Sequence, residues 1–248
     1  MDYVRLTCPH LAFGHPLPKG EDSLIQAATV FSLAPTYAQS CCAGVSGKLW
    51  ATERGAMRVE VTRKLFTVDD YYRMAEAGIL RPGDRVELID GEIIQMSPIG
   101  NRHAGCVNRA TDLFTLLFRG KAIVTVQNPV RLSQYNEPQP DLVLAKPRTD
   151  YYASKHPTAD DTLLLLEVAD TTLRYDRDVK LPIYAQLGIP EVWIEDLKHD
   201  CVLVFRDPSS NRYQTSLTFR PGDSLSTIAF PEIVITVDSL LGGVPSQA

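Results

Sequence analysis

The sequence has few cysteines, and they are not paired. Five are scattered over 248 residues, at Cys8, Cys41, Cys42, Cys106 and Cys201. No two stand as C-x-x-C and none has a histidine at metal-finger spacing, which argues against a structural zinc site. An odd, scattered set also argues against a disulfide framework and fits a reducing cytoplasm, with the thiols acting as small core hydrophobes. No apolar run approaches the roughly 18 residues of a membrane-spanning helix, so no membrane partner is expected. Residues 24–40 end in small side chains as a signal peptide does. However, Glu21 and Asp22 precede them where a basic lead would be needed, so a cytoplasmic location is expected. An excess of basic residues is also missing: 25 Lys and Arg stand against 30 Asp and Glu, a formal net charge of -5. No global positive field therefore advertises a polyanionic partner. A nuclease is not excluded by this, because a metal-dependent active site must itself be acidic. Neither a G-x-S-x-G nucleophile elbow nor a G-x-x-x-x-G-K-[ST] phosphate loop occurs.

What is present begins after residue 56. Residues 1–56 hold three of the five cysteines and no sustained helix or strand period, and are expected to be a poorly structured extension or the product of an upstream start. Residues 57–248 are expected to form the folded domain. Thr67 can cap a helix running to Gly78. Residues 85–89 and 92–96 read as strands joined by Asp90-Gly91, a strong hairpin signal. Residues 101–118 carry apolar side chains at helical spacing.

Strands are then expected over 122–127, 130–132, 142–145 and 162–168. The last contains Leu163-Leu164-Leu165-Leu166, the pattern of a strand buried on both faces and hence central. Residues 176–187 read as a helix stopped by Gly188, followed by strands over 191–195, 201–206, 213–219 and 233–237. Strand, helix, strand over 162–195 implies a right-handed parallel crossover, and the flanking hairpins imply an antiparallel remainder. The fold class is α/β, with a mixed sheet flanked by helices.

Three polar residues stand where this pattern wants apolar ones. Asp141 opens the strand 142–145 after Pro138-Gln139-Pro140, Glu167 lies near the end of the most buried-looking strand, and Lys180 lies in the first turn of the next helix. A carboxylate on a central strand is rarely buried unless paired or bound to metal. Two on adjacent strands make an oxygen-rich site suited to Mg²⁺ or Mn²⁺. The chemistry that follows is metal-assisted phosphodiester hydrolysis, with Lys180 stabilising negative charge or orienting the attacking water. Read from spacing alone, a structural ion pair of Glu167 with Lys180 or Arg174 accounts for the same residues equally well. Trp193 and Tyr184 read as core packing.

The segments FTVDDYYRMAE, RVELIDGEIIQMSP, the helix start Asn101-Arg102-His103, PDLVL, LLLEVADTT and YDRDVKLPIYAQLGIPEVWIED follow in that order. Together they resemble the Uma-type family of bacterial restriction endonucleases, within the PD-(D/E)XK nuclease superfamily, over roughly residues 65–241. The resemblance implies a restriction-endonuclease-like fold, a divalent metal and DNA as substrate. Pro140-Asp141 matches the "PD" element and Glu167 the "(D/E)" element. Ala169 stands where the motif's lysine would be, and Lys180 fits a lysine displaced to the following helix. Glu87 and His103 match polar positions of the family's early strand and helix start. Glu87 is a candidate third acid of the site and His103 a candidate contact to phosphate or metal. The blander readings are a solvated hairpin position for Glu87 and a surface helix start for His103. Asp170 is an extra acid open to metal binding or to capping the turn, and the turn cap is the favoured reading. A Mg²⁺-dependent DNA endonuclease is the leading expectation. The alternative is a catalytically inactive module that keeps the nuclease fold and binds nucleic acid or a protein. A homodimer would let two sites act on two strands, although the sequence shows no interface.

Overall fold

The computed structural model describes residues 62–81 and 83–242. The expected extension over residues 1–56, with Cys8, Cys41 and Cys42, lies outside the described residues. Cys106 and Cys201 are buried free thiols. No helix among the described residues is long and apolar enough to cross a membrane.

Six strands form the main sheet, in the order β3 (Ile123–Val126), β4 (Leu142–Ala145), β5 (Thr162–Ala169), β6 (Glu191–Asp196), β7 (Cys201–Ser209) and β8 (Arg212–Phe219). Only β5 and β6 run parallel; every other neighbouring pair in this sheet is antiparallel. The four-leucine run lies in β5, which has partners on both sides and is covered on both faces. Strand alternation sends Leu164, Leu166 and Val168 to one core and Leu165 and Ala169 to the other.

The first core is closed by α2 (Asn101–Leu117), whose Cys106, Val107, Ala110 and Phe114 form its buried stripe, and by α5 (Val237–Leu241). Phe114 meets Trp193 edge to face at 6.0 Å between ring centres. The second core packs under α4 (Leu181–Gln186) through Leu181 and Tyr184. Two small antiparallel pairs stand apart from the sheet: β1 (Val86–Ile89) with β2 (Glu92–Gln95), and β9 (Ser224–Thr227) with β10 (Phe230–Thr236). The N-terminal helix α1 (Val68–Glu76) starts at Thr67 through a reciprocal capping box with Asp70.

Two expectations need correction. Residues 130–132 are not a strand. Val130 N–H bonds to the Pro138 carbonyl and Leu132 N–H to the Asn136 carbonyl, so the chain folds back on itself. The returning segment holds Pro138 and Pro140, which offer no N–H to a ladder. The helix expected over 176–187 starts earlier, at α3 (Leu173–Tyr175), and passes through a π-helical segment (Asp176–Lys180) before α4. Pro182 explains the wide turn: its ring cannot donate to the carbonyl four residues back and crowds it. Lys180 is therefore inside a continuous helical stretch rather than in its first turn. The strand β9, short and polar, was not foreseen.

Candidate active site

The β1–β2 hairpin builds one wall. Asp90 and Gly91 both take positive φ, 48° and 75°, the geometry of a tight two-residue turn. A Cβ on Gly91 would lie 2.7 Å from Leu65, so only glycine fits. The hairpin is tied to the segment ahead of β4: Glu137 N–H bonds to the Leu88 carbonyl, and Asp90 and Asn136 exchange two hydrogen bonds. This brackets Glu87 and Asp141 from one side. From the other, β5 delivers Glu167, and the π-helical segment swings Lys180 and Asp176 under it.

Lys180 Nζ lies 3.1 Å from Glu87, 3.3 Å from Glu167 and 4.0 Å from Asp176, and all four side chains are almost sealed from water. It also stands over the Tyr175 ring at 5.9 Å. Burial alone would push the Lys180 ammonium down, but the three carboxylates outweigh it and hold the group charged. Burial raises Glu167 to about 8, helped by Asp176, Asp141 and Glu87 and opposed by Lys180. Three acids around one ammonium leave excess negative charge, which adds to the upward push on Glu167. Tyr184 donates to Glu167 Oε1 at 2.7 Å, the same oxygen that faces Lys180.

Asp141 is the residue before β4 and therefore stands opposite Glu167 in the β4–β5 register. Its Oδ2 accepts from the Val168 N–H at 2.9 Å, and its Oδ1 faces His103 Nε2 at 2.9 Å and Gln127 Nε2 at 3.2 Å. Burial pushes Asp141 up, yet these partners outweigh it and hold the carboxyl below the usual range. His103 is raised in turn, chiefly by its bond to Asp141.

All five residues singled out in the sequence, Glu87, His103, Asp141, Glu167 and Lys180, line one cavity of about 380 Å³. Glu87 is a buried partner of Lys180 and His103 a partner of Asp141, so neither blander reading describes it. Sequence reasoning missed Asp176, and it placed Tyr184 in the core, where it lies, without the bond its hydroxyl makes to Glu167. Asp176 falls four residues before Lys180, which could have flagged it on a helix. Nothing in the pattern distinguishes the Tyr184 hydroxyl from that of any buried tyrosine. The scattered basic residues do not gather here: Arg102, Arg131, Arg148, Lys155 and Arg177 pair with Asp200, Asp69, Asp150, Asp161 and Asp178. Arg85 lines the cavity.

The donors suit a hard cation in type. Glu87, Asp141, Glu167, Asp170 and Asp176 bring five carboxylates to the cavity, against the ammonium of Lys180 and the guanidinium of Arg85. They are not drawn together as a closed cage: among the described residues no three His, Cys, Asp or Glu side chains are grouped tightly enough to hold an ion by themselves. Asp141, just ahead of β4, and Glu167 on β5 come from neighbouring segments of the sheet.

The profile of the family Uma2, described as "Putative restriction endonuclease", matches residues 68–238. The chain belongs to that family. Among solved structures it is similar to a protein from Anabaena variabilis ATCC 29413 described as a "putative nuclease belonging to DUF820". The two share 14% identity with a TM-score of 0.55, over 71% of this chain and 98% of that one, which shows the fold. No curated relative matches. Uma2 membership supports a nuclease.

Proposed function

We propose that this Uma2 protein is a divalent-metal-dependent endonuclease that hydrolyses phosphodiester bonds in DNA, with Mg²⁺ or Mn²⁺ held by Asp141 and Glu167. The observation that carries the reading is the charge imbalance of the cavity, where five carboxylates meet two permanent cations. A phosphodiester is itself anionic and gains nothing from such a cleft unless a cation enters with it. Carboxylate oxygens from adjacent strands are the hard ligands that Mg²⁺ and Mn²⁺ take. Bound there, the ion supplies Lewis acidity toward the phosphoryl oxygen and a more acidic water.

The chain's own groups do the rest. Tyr184 and Lys180 hold Glu167 by Oε1, which leaves Oε2 for the cation. His103 and the Val168 amide fix the orientation of Asp141. Lys180, kept protonated by its three acids, would offset negative charge developing on the phosphoryl group. Glu87 bonds Lys180 with one oxygen and the Gln139 N–H with the other, so it positions the lysine.

The test is incubation of purified protein with plasmid and linear DNA in Mg²⁺ or Mn²⁺. Cleavage is expected from the wild type and is expected to disappear in Asp141→Ala and in Glu167→Ala; cleavage surviving both changes contradicts the assignment. One observation favours the alternative, a catalytically inactive module with the nuclease fold: the Lys180 ammonium stands between Glu87 and Glu167 and serves as their counter-charge. Absence of any Mn²⁺ binding by calorimetry would decide for that module.

A further inference from the structure

The walls of the cavity differ sharply in character. Its floor is charged, and Glu87, Asp141, Glu167, Asp176 and Lys180 are each less than a tenth exposed. One side of its mouth is apolar: Ile94 and Met96 from β2 and the segment after it, then Pro98 and Ile99 on the way into α2. Ile94 and Met96 are half-buried, whereas Pro98 and Ile99 are exposed, with Ile99 at 41%. Large apolar side chains held at the mouth of an acidic cleft lose contact with nothing in the fold if a flat apolar ligand covers them.

Resting on the nuclease reading above, we infer that the substrate of this site is an unpaired DNA strand, whose base next to the scissile phosphate packs on Ile94, Met96, Pro98 and Ile99. Three observations converge on it. The reacting groups lie below the surface in a cavity of about 380 Å³. That is the low end of the roughly 300–1,000 Å³ of small-ligand pockets, a size that suits a single nucleotide. Apolar side chains at the mouth suit a base face, which stacks whatever its identity, while in an intact duplex those faces are covered by their neighbours. Duplex binding relies on many phosphate contacts from free Lys and Arg. Here Arg85 is the permanent cation at the mouth, and Arg102, Arg131 and Arg177 are already paired with aspartates.

The experiment uses the full chain and one labelled oligonucleotide, offered as a single strand, as a blunt duplex, and as a duplex with a single-stranded gap. Cleavage rates are measured in Mn²⁺ and binding by anisotropy in Ca²⁺, for the wild type and for Met96→Ser and Ile99→Ser, with circular dichroism confirming that each variant folds. The single strand and the gap are expected to be cut and bound at least tenfold better than the blunt duplex. The serine variants are expected to lose most of that preference through a fall in the single-strand and gap values. Equal or better use of the duplex, or a preference untouched by both variants, overturns the inference. Strand-selective binding that depends on Met96 and Ile99 without cleavage of any substrate sinks the nuclease reading and leaves the strand preference standing. No binding of any DNA sinks both.

Discussion

Glu167 and Glu195 sit one register step apart on the parallel pair β5–β6, Glu167 beside Ile194 and Val168 beside Glu195, yet they face opposite sides of the sheet. Both are pushed up to about 8, and in both the first cause is burial. Their surroundings differ. Glu167 shares an oxygen with Lys180 and Tyr184 and lines the cavity. Glu195 is fully enclosed, and neither of its oxygens finds a hydrogen bond; Asp141 raises it further and Arg109 lowers it. A perturbed carboxyl is therefore not by itself a site. Convergent partners and an opening make Glu167 one, and their lack makes Glu195 a neutral acid stored beneath α2.

The comparison can be broken most easily at Lys180. Lys180→Met strands three buried carboxylates without a counter-charge, and is expected to cost about 3–5 kcal/mol in urea unfolding at pH 7. The loss should shrink toward pH 5 as the carboxyls take up protons. No loss at pH 7 would mean the ammonium does not hold the floor together.

Glu195→Gln tests the other face. The folded carboxyl keeps its proton to about 8, while the unfolded one releases it near 4.5, so wild-type stability falls as pH rises through that window. The variant is expected to match wild type at pH 4.5 and to exceed it by on the order of 2–4 kcal/mol above pH 8. Parallel pH profiles of the two proteins would contradict this.

Tyr184→Phe sharpens the role of the hydroxyl. It is expected to weaken Mn²⁺ binding by about 10-fold or more while costing only about 1 kcal/mol of stability. A loss of stability with metal affinity intact would return Tyr184 to mere packing. Smallest of all, Arg102→Ala removes an exposed pair with Asp200 and should change stability by less than about 1 kcal/mol.

Much of this contrast was legible in the residues before the fold was known. The continuous leucine run placed β5 at the centre, because only a strand covered on both faces needs no alternation. A glutamate interrupting that run marked Glu167. Asp141 was visible for the same reason at the head of β4. The π-helical segment was not legible, since residues 176–187 read as one ordinary helix and apolar spacing does not reveal a turn widened by one residue. Asp176 went unnoticed although its four-residue spacing from Lys180 already makes the two neighbours on a helix. Glu195 escaped because EVWIE reads as a simple strand with a glutamate at each end; the chain continues pairing through Asp196, and the whole strand is buried. The partner of Tyr184 depends on how α4 packs on β5, which no periodicity encodes.

The central claim is that Asp141 and Glu167 together hold one divalent cation, and titration calorimetry with Mn²⁺ addresses it most directly. The account predicts a single site in the wild type and in Glu195→Gln, and none in Asp141→Asn or Glu167→Gln. Undiminished binding in either of the last two proteins, each folded by circular dichroism, would contradict it.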